Sequence, residues 1–224
     1  MIDLSIVIPV FNNQDTLTEL VERLDNLLTT QTTFEIIFAN DASKDNSLQI
    51  IQELSTRYPF VRLKNIKKNI GQNKALIEGF KEASGKKVMV MDADLQDNLD
   101  MVLPLLKKLD SKTDAVFILR EGKYQSTNRM ITSYLLKGVI QLITGLPKKA
   151  GTFFIVQNSM VQKVLKLKCS FPYVTIMVFH VCSTVTYLQS SRKSNFGKSS
   201  YTFKKRLLHA VRAIQCTLQC RFLN

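Results

Sequence analysis

An alternation constrains this chain more than any other feature. Over residues 4–121, short apolar runs of strand length take turns with stretches whose apolar residues recur at helical spacing. "LSIVIPV" (4–10) is nearly continuously apolar, the pattern of a strand covered on both faces. The stretch that follows repeats Leu17, Leu20, Val21, Leu24, Leu27 and Leu28 at the helical period, and Thr16 and Glu19 have the spacing of a capping box. The pairing recurs as "FEIIFAN" (34–40) with "SLQIIQELSTRY" (47–58), where Leu48, Ile51 and Leu54 share a face. It recurs again as "VRLKNI" (61–66) with "GQNKALIEGFKEA" (71–83). "KKVMVMDAD" (86–94) precedes "LDMVLPLLKKL" (99–109), in which Pro104 weakens the helical reading, and "DAVFIL" (114–119) closes the series. Strands separated by helices predict an α/β fold with a parallel sheet.

In such sheets ligands gather at the carboxyl ends of the strands. Asp41, Asp92 and Asp94 stand at such ends, as do Pro9, Phe11 and Arg120. In "VMVMDADLQDN" (88–98) an apolar run stops abruptly at Asp92, Asp94 and Asp97, with Gln96 among them. In extended chain, residues i and i+2 point the same way, so Asp92 and Asp94 can face one cation together. A hard cation such as Mg²⁺ takes oxygen ligands and keeps room for substrate phosphates. The plainer alternative is a strand entering a polar turn. Other nucleotide folds are excluded by sequence: no G-x-G occurs, and "GKSS" (197–200) has Arg192 where a Walker A loop requires glycine.

The second half is less regular. "TNRMITSYLLKGVIQLITGL" (127–146) is loosely amphipathic, "TFFIVQ" (152–157) has the pattern of a strand, and "SMVQKVLKLK" (159–168) that of a short helix. "YVTIMVFHVCSTVTYL" (173–188) reads as strands or a buried core segment, and is too short to span a bilayer. Residues 199–223 form a basic amphipathic segment. The charge is divided sharply. All 18 Asp and Glu lie at or before Glu121, and 16 of the 31 Lys and Arg follow it, so the last 103 residues carry +16 within a total of +13. A half of one sign implies a polyanionic partner: nucleic acid, anionic lipid or phosphorylated ligands. No known reading motif accompanies the charge, so no nucleic acid is expected. Cys169, Cys182, Cys216 and Cys220 show no C-x-x-C spacing, which predicts reduced thiols and a cytoplasmic protein. "MIDLSIVIPV" has no basic n-region, so it does not read as a secretory signal.

"SIVIPVFNNQDTL", "FEIIFANDASKDNS", "KNIGQNKALIEGFKEASG", "VMVMDADLQDN" and "FGKSSYTFKKRL" occur in the order found in family 2 glycosyltransferases, which this chain resembles over about residues 4 to 210. The "DADLQD" form is most similar to polyprenyl-phosphate glycosyltransferases of the dolichol-phosphate mannose synthase type. The resemblance implies a GT-A (Rossmann-like) fold over residues 1–198, with 199–224 as a basic segment at the membrane surface. It implies a nucleotide pocket of Pro9, Phe11, Asn13, Asp41 and Asp92, and a Mg²⁺ or Mn²⁺ site at Asp92 and Asp94. It places Asp94, Gln96 and Arg120 at the chemistry, and Arg129, Lys198 and Ser199 at an acceptor phosphate. The chain departs from the family pattern at Asn13 (usually Glu), at Asn40 and Ala42 (Asp and Gly), and at Thr152 and Phe154 (Asp and Arg).

The expected activity is transfer of a sugar from a nucleoside diphosphate to a polyprenyl phosphate, for envelope or glycan assembly, by a peripheral enzyme on the cytoplasmic face of a membrane. A sugar hydroxyl as acceptor would need a base, and no carboxylate follows Glu121. A lipid phosphate has a second pKa of about 6 and arrives as an anion, so it needs only cations to place it. Two alternatives stand beside this reading. One is a saccharide acceptor with His180, Asp97 or Asp100 as base; the other is a non-catalytic basic binding module on a decayed transferase fold.

Overall fold

The computed structural model describes residues 1–121, 141–147, 149–191 and 203–222. A seven-stranded sheet runs through it in the order β3-β2-β1-β4-β6-β5-β7. The strands are β1 (Leu4–Val10), β2 (Phe34–Asp41), β3 (Val61–Ile66), β4 (Lys87–Val90), β5 (Ala115–Glu121), β6 (Ala150–Gln157) and β7 (Val185–Ser191). β1, β2, β3 and β4 pair in parallel, as the crossover helices require. β6 lies antiparallel between β4 and β5, with Val90 opposite Phe154 and Ala115 opposite Val156. β7 then adds in parallel to β5 at the edge. The predicted α/β class therefore holds, with one reversed strand from the acid-free half inside the sheet.

Helices cover both faces. α1 (Leu17–Leu28), α2 (Ser47–Arg57) and α4 (Val102–Lys108) lie over one core layer, which contains Ile6, Ile8, Leu20, Leu24, Phe38, Ile51, Met89 and Leu105. α3 (Gln72–Glu82), α5 (Asn158–Lys166), α6 (Val174–Val181) and α7 (Phe203–Phe222) lie over the other, around Val7, Leu76, Phe80, Phe117, Phe154 and Met177. Pro104 sits in the first turn of α4, where its missing N–H has no intrahelical acceptor to serve, so the helix forms. Residues 173–188 are a helix followed by a strand. α6 is apolar nearly all round because Val174, Ile176, Met177, Val178 and Val181 are all buried. α7 buries Ala210, Ala213, Cys216, Thr217 and Cys220, so one face of the basic C-terminal segment belongs to the core.

Candidate active site

Three strands end in turns that meet. β1 runs out at Val10 and β2 at Asp41, and after β4 the chain turns at the D-x-D sequence. Each turn contains a non-glycine residue at positive φ: Asn12 (57°), Ala42 (55°) and Leu95 (55°). The turns at Asn12 and Ala42 are held by cross-turn hydrogen bonds. The Asn12 N–H donates to Ser43 Oγ (3.1 Å), and Asn12 Oδ1 accepts the Lys44 N–H (2.8 Å). The Phe11 N–H donates to Asn13 Oδ1 (3.1 Å), while the Asn13 N–H donates to Ser47 Oγ (2.9 Å). Asn40 uses both ends of its amide, accepting from Ser43 Oγ (2.6 Å) and donating to Asn65 (3.0 Å).

Between these turns lies a cleft of about 430 Å³, lined by Pro9, Val10, Phe11, Asn13, Asp41, Asn69, Gly71, Gln72, Asp92, Ala93 and Asp94. Every sequence-predicted nucleotide residue is at this cleft, and so is Asp94. Phe11 is 44% exposed there, an apolar ring available for stacking. Asp41 is nearly buried, and its two carboxylate oxygens accept the backbone N–H groups of Ile70 (2.7 Å) and Gly71 (2.8 Å). It thus builds the wall formed by residues 69–72, ahead of any contact with a ligand. Asn69, Gly71 and Gln72, which no local sequence signal marks as functional, complete the cleft.

The D-x-D turn is tied on several sides. Asp92 Oδ1 accepts from Gln72 Nε2 (2.9 Å) and from Thr152 Oγ1 (3.0 Å), and its Oδ2 faces Arg120 Nη2 at 3.2 Å. Asp94 Oδ1 accepts the Gln96 N–H (3.1 Å); Gln96 is not among the residues lining the cleft. Thr16, expected to cap α1, makes no side-chain cap and instead donates to the Ala93 carbonyl (2.6 Å). Glu19, the other half of the expected capping box, pairs with Arg23. The reason is competition: the Ala93 carbonyl lies within reach of the hydroxyl, so the side chain satisfies the turn and not its own helix.

The departures from the family pattern have structural consequences. Thr152 puts a hydroxyl beside Asp92 and Arg120, so no third carboxylate crowds the pair. Phe154 is fully buried and stacks at 5.1 Å on Phe117, where a cation would have no polar partner. Of the alternative bases, Asp97 is held by Arg120, and Asp100 donates its N–H to Asn98 in an exposed turn. His180 lies on α6, and burial followed by the nearby Arg221 holds its pKa below the ordinary value; it does not line the cleft. Arg129, Lys198 and Ser199 lie outside the described residues.

Comparison with known proteins places this geometry. An uncharacterized glycosyltransferase, YkcC, of Bacillus subtilis is 29% identical over 215 residues, 92% of this chain and 65% of that protein. The undecaprenyl-phosphate 4-deoxy-4-formamido-L-arabinose transferase of Edwardsiella ictaluri is 35% identical over 144 residues, 63% of this chain and 44% of that protein. The chain therefore spans between about half and two thirds of the length of these relatives. Among solved structures, Mycobacterium tuberculosis glucosyl-3-phosphoglycerate synthase, in complex with Mn²⁺, uridine diphosphate and glucosyl-3-phosphoglycerate, superposes with a TM-score of 0.64. It is 16% identical and covers 98% of this chain and 80% of that one, a likeness of fold. The sequence model of glycosyl transferase family 2 matches residues 5–184, from β1 to the last residue before β7. That stretch holds every residue of the cleft, and the chain belongs to glycosyl transferase family 2.

Proposed function

We propose that this chain transfers a sugar from a nucleoside diphosphate to a polyprenyl phosphate at an anionic membrane surface. One observation carries the choice of acceptor. Asp41, Asp92 and Asp94 are the carboxylates that line the cleft, and in this reading they serve the donor; no Asp or Glu follows Glu121 in this sequence. A hydroxyl nucleophile would lack a downstream base, whereas a phosphate arrives charged. The relative from Edwardsiella ictaluri, named for undecaprenyl phosphate, supports the same class of acceptor.

The chain's own residues divide the work. Pro9, Phe11 and Asn13 take the base, with Asp41 fixing the adjoining wall. Among the described residues no group of three His, Cys, Asp or Glu side chains gathers as a metal site. The donor set is two carboxylates, Asp92 and Asp94, which fits a hard cation that shares its coordination with substrate phosphates. Bound there with the donor, Mg²⁺ or Mn²⁺ would supply charge stabilisation to the departing diphosphate. Arg120 adds a cation on the same side, and Arg129, Lys198 and Ser199 place the acceptor phosphate.

The membrane contact falls to α7. Leu208, Val211 and Leu218 are exposed at helical spacing on a helix that carries Lys204, Lys205, Arg206, Arg212 and Arg221 and no acid. Phe171 joins this face, with Arg212 4.9 Å from its ring centre. Among the described residues no helix is long and apolar enough to cross a membrane; in this reading α7 lies in the interface on the cytoplasmic face.

A panel of nucleotide sugars tests the reading, offered with a short polyprenyl phosphate and, separately, with the matching polyprenyl alcohol. Glycolipid should form from the phosphate alone. Efficient transfer to a free saccharide would replace this reading with a hydroxyl acceptor. No transfer, together with nucleotide-independent binding to polyanions, would make the chain a binding module.

A further inference from the structure

Asp97 has no part in the roles above, yet it is a buried charged group beside the D-x-D turn. Its side chain is 3% exposed. Its Oδ1 faces Arg120 Nη2 at 3.1 Å, and its Oδ2 accepts the backbone N–H of Asp92 at 3.3 Å. One carboxylate therefore spans the first residue of the D-x-D turn and the cation at the end of β5. The guanidinium is confined from another direction as well. A Cβ on Gly151 would stand 2.7 Å from Arg120 Cζ and 2.8 Å from its Nε, so the guanidinium occupies space that only glycine leaves open. Both contacts to carboxylate use Nη2, while Arg120 Nε is buried with no hydrogen-bond partner among the described residues.

We propose that Asp97 is a positioning residue which, with Gly151, seats the Arg120 guanidinium beside Asp92 before the donor binds. The inference rests on the donor-site reading given above. Arginine is a long side chain with several rotatable bonds, and a flexible cation loses much of its effect on a charge that develops late. Asp97 removes that freedom. When Asp92 turns to a bound donor, the bond from Asp97 keeps Arg120 in place. Asp97 is thereby committed to Arg120 and the Asp92 backbone, and is not placed to deprotonate an acceptor.

The test is a double-mutant cycle on the full chain, read by calorimetric binding of UDP and GDP in Mn²⁺, with melting temperatures recorded for every variant. Asp97→Asn should weaken nucleotide binding about 10-fold in the wild-type background and less than about 2-fold in Arg120→Ala, because its effect passes through Arg120. Equal losses in both backgrounds would show a general structural role and overturn the inference. If Asp97→Asn does not fold, Gly151→Ala gives the same reading from the other side of the seat. It should weaken binding in the wild-type background and have no further effect once Arg120→Ala has emptied the space; equal losses would again overturn the proposal. Wild-type protein that binds neither nucleotide in Mn²⁺ would overturn the donor-site reading itself, whereas wild-type binding with an additive cycle would overturn the role of Asp97 alone.

Discussion

The side-chain oxygen of Asn73 accepts the backbone N–H of Val174 at 2.9 Å, joining residues 101 positions apart. Asn73 is in the first turn of α3, next to Gln72, which reaches Asp92. Val174 opens α6 and is fully buried, and the N–H groups of a helix's first turn have no partner within the helix. Asn73→Ala should therefore cost roughly 1–3 kcal/mol, the desolvation of an unmet donor. Thermal denaturation reads it as a fall of about 2–4 °C per kcal/mol for a chain of this size. An unchanged melting temperature would mean that water replaces the amide at no cost.

Ala42 adopts φ 55°, in the position where the family pattern has glycine. A side chain in the left-handed region costs about 1 kcal/mol or more, which glycine avoids. Ala42→Gly should stabilise the chain by about 1 kcal/mol, against the usual direction for that substitution in regular structure. Denaturant titration decides the sign.

The D-x-D turn gives a prediction about metal. Transfer should stop in EDTA and return on adding Mg²⁺ or Mn²⁺. Asp94→Asn should reduce the rate by roughly 10²–10³, the scale of removing one preorganised charge contact at a reacting centre. Full activity in EDTA would assign Asp94 to the turn alone.

Glu35 is buried at the opposite end of the sheet. It accepts from Ser5 Oγ (2.6 Å), Ser84 N (2.8 Å), Ser84 Oγ (2.7 Å) and Arg62 Nη1 (2.8 Å). Burial alone would raise its pKa, but these bonds outweigh it and hold the carboxyl below its ordinary 4.5. A depressed carboxylate contributes stability that is complete above the unfolded value and is lost as pH falls from 4.5 through the folded one. Glu35→Gln should lower stability at pH 7 by roughly 2 kcal/mol and flatten the acid side of the stability profile. An acid limb as steep as in the wild type would assign it to other carboxylates.

Attachment to membranes through α7 should require anionic lipid and weaken with salt, since screening shortens the reach of its basic residues to about 8 Å at physiological ionic strength. Vesicle co-sedimentation with neutral and anionic lipid at two salt concentrations checks this. Replacing exposed Leu208 and Val211 with serine should reduce binding without lowering the melting temperature.

β1 and β2 were legible because burial on both faces writes a continuous apolar run, and their residues are nearly all buried; β3, exposed along much of its length, gave a weaker signal. The carboxyl ends of the strands then pointed to Pro9, Phe11, Asp41, Asp92, Asp94 and Arg120; the cleft gathers the first five, while Arg120 does not line it and pairs with Asp92 and Asp97. Partners across the fold were not legible. Thr16 has a local pattern that fits a helix cap, and only the nearness of Ala93 redirects its hydroxyl. β6 reads as a strand over residues 152–157, but nothing in those residues says which neighbours it takes. α6 was ambiguous because a helix buried all round loses the polar stripe that distinguishes it from a strand.

The placement of β6 also sets an order of assembly. β4, which leads into the D-x-D turn, pairs with β1 on one side and waits for residues 150–157 on the other. During synthesis at about 5–20 residues per second, that wait lasts several seconds. Throughout it, β4 is an unpaired edge whose last three side chains, Val88, Met89 and Val90, are apolar, the kind of edge that recruits strands from other chains. Arg120 likewise lacks its neighbours Gly151 and Thr152 until the same segment emerges. Until residues 150–157 have left the ribosome, that edge of β4 is open to pairing with strands of other chains.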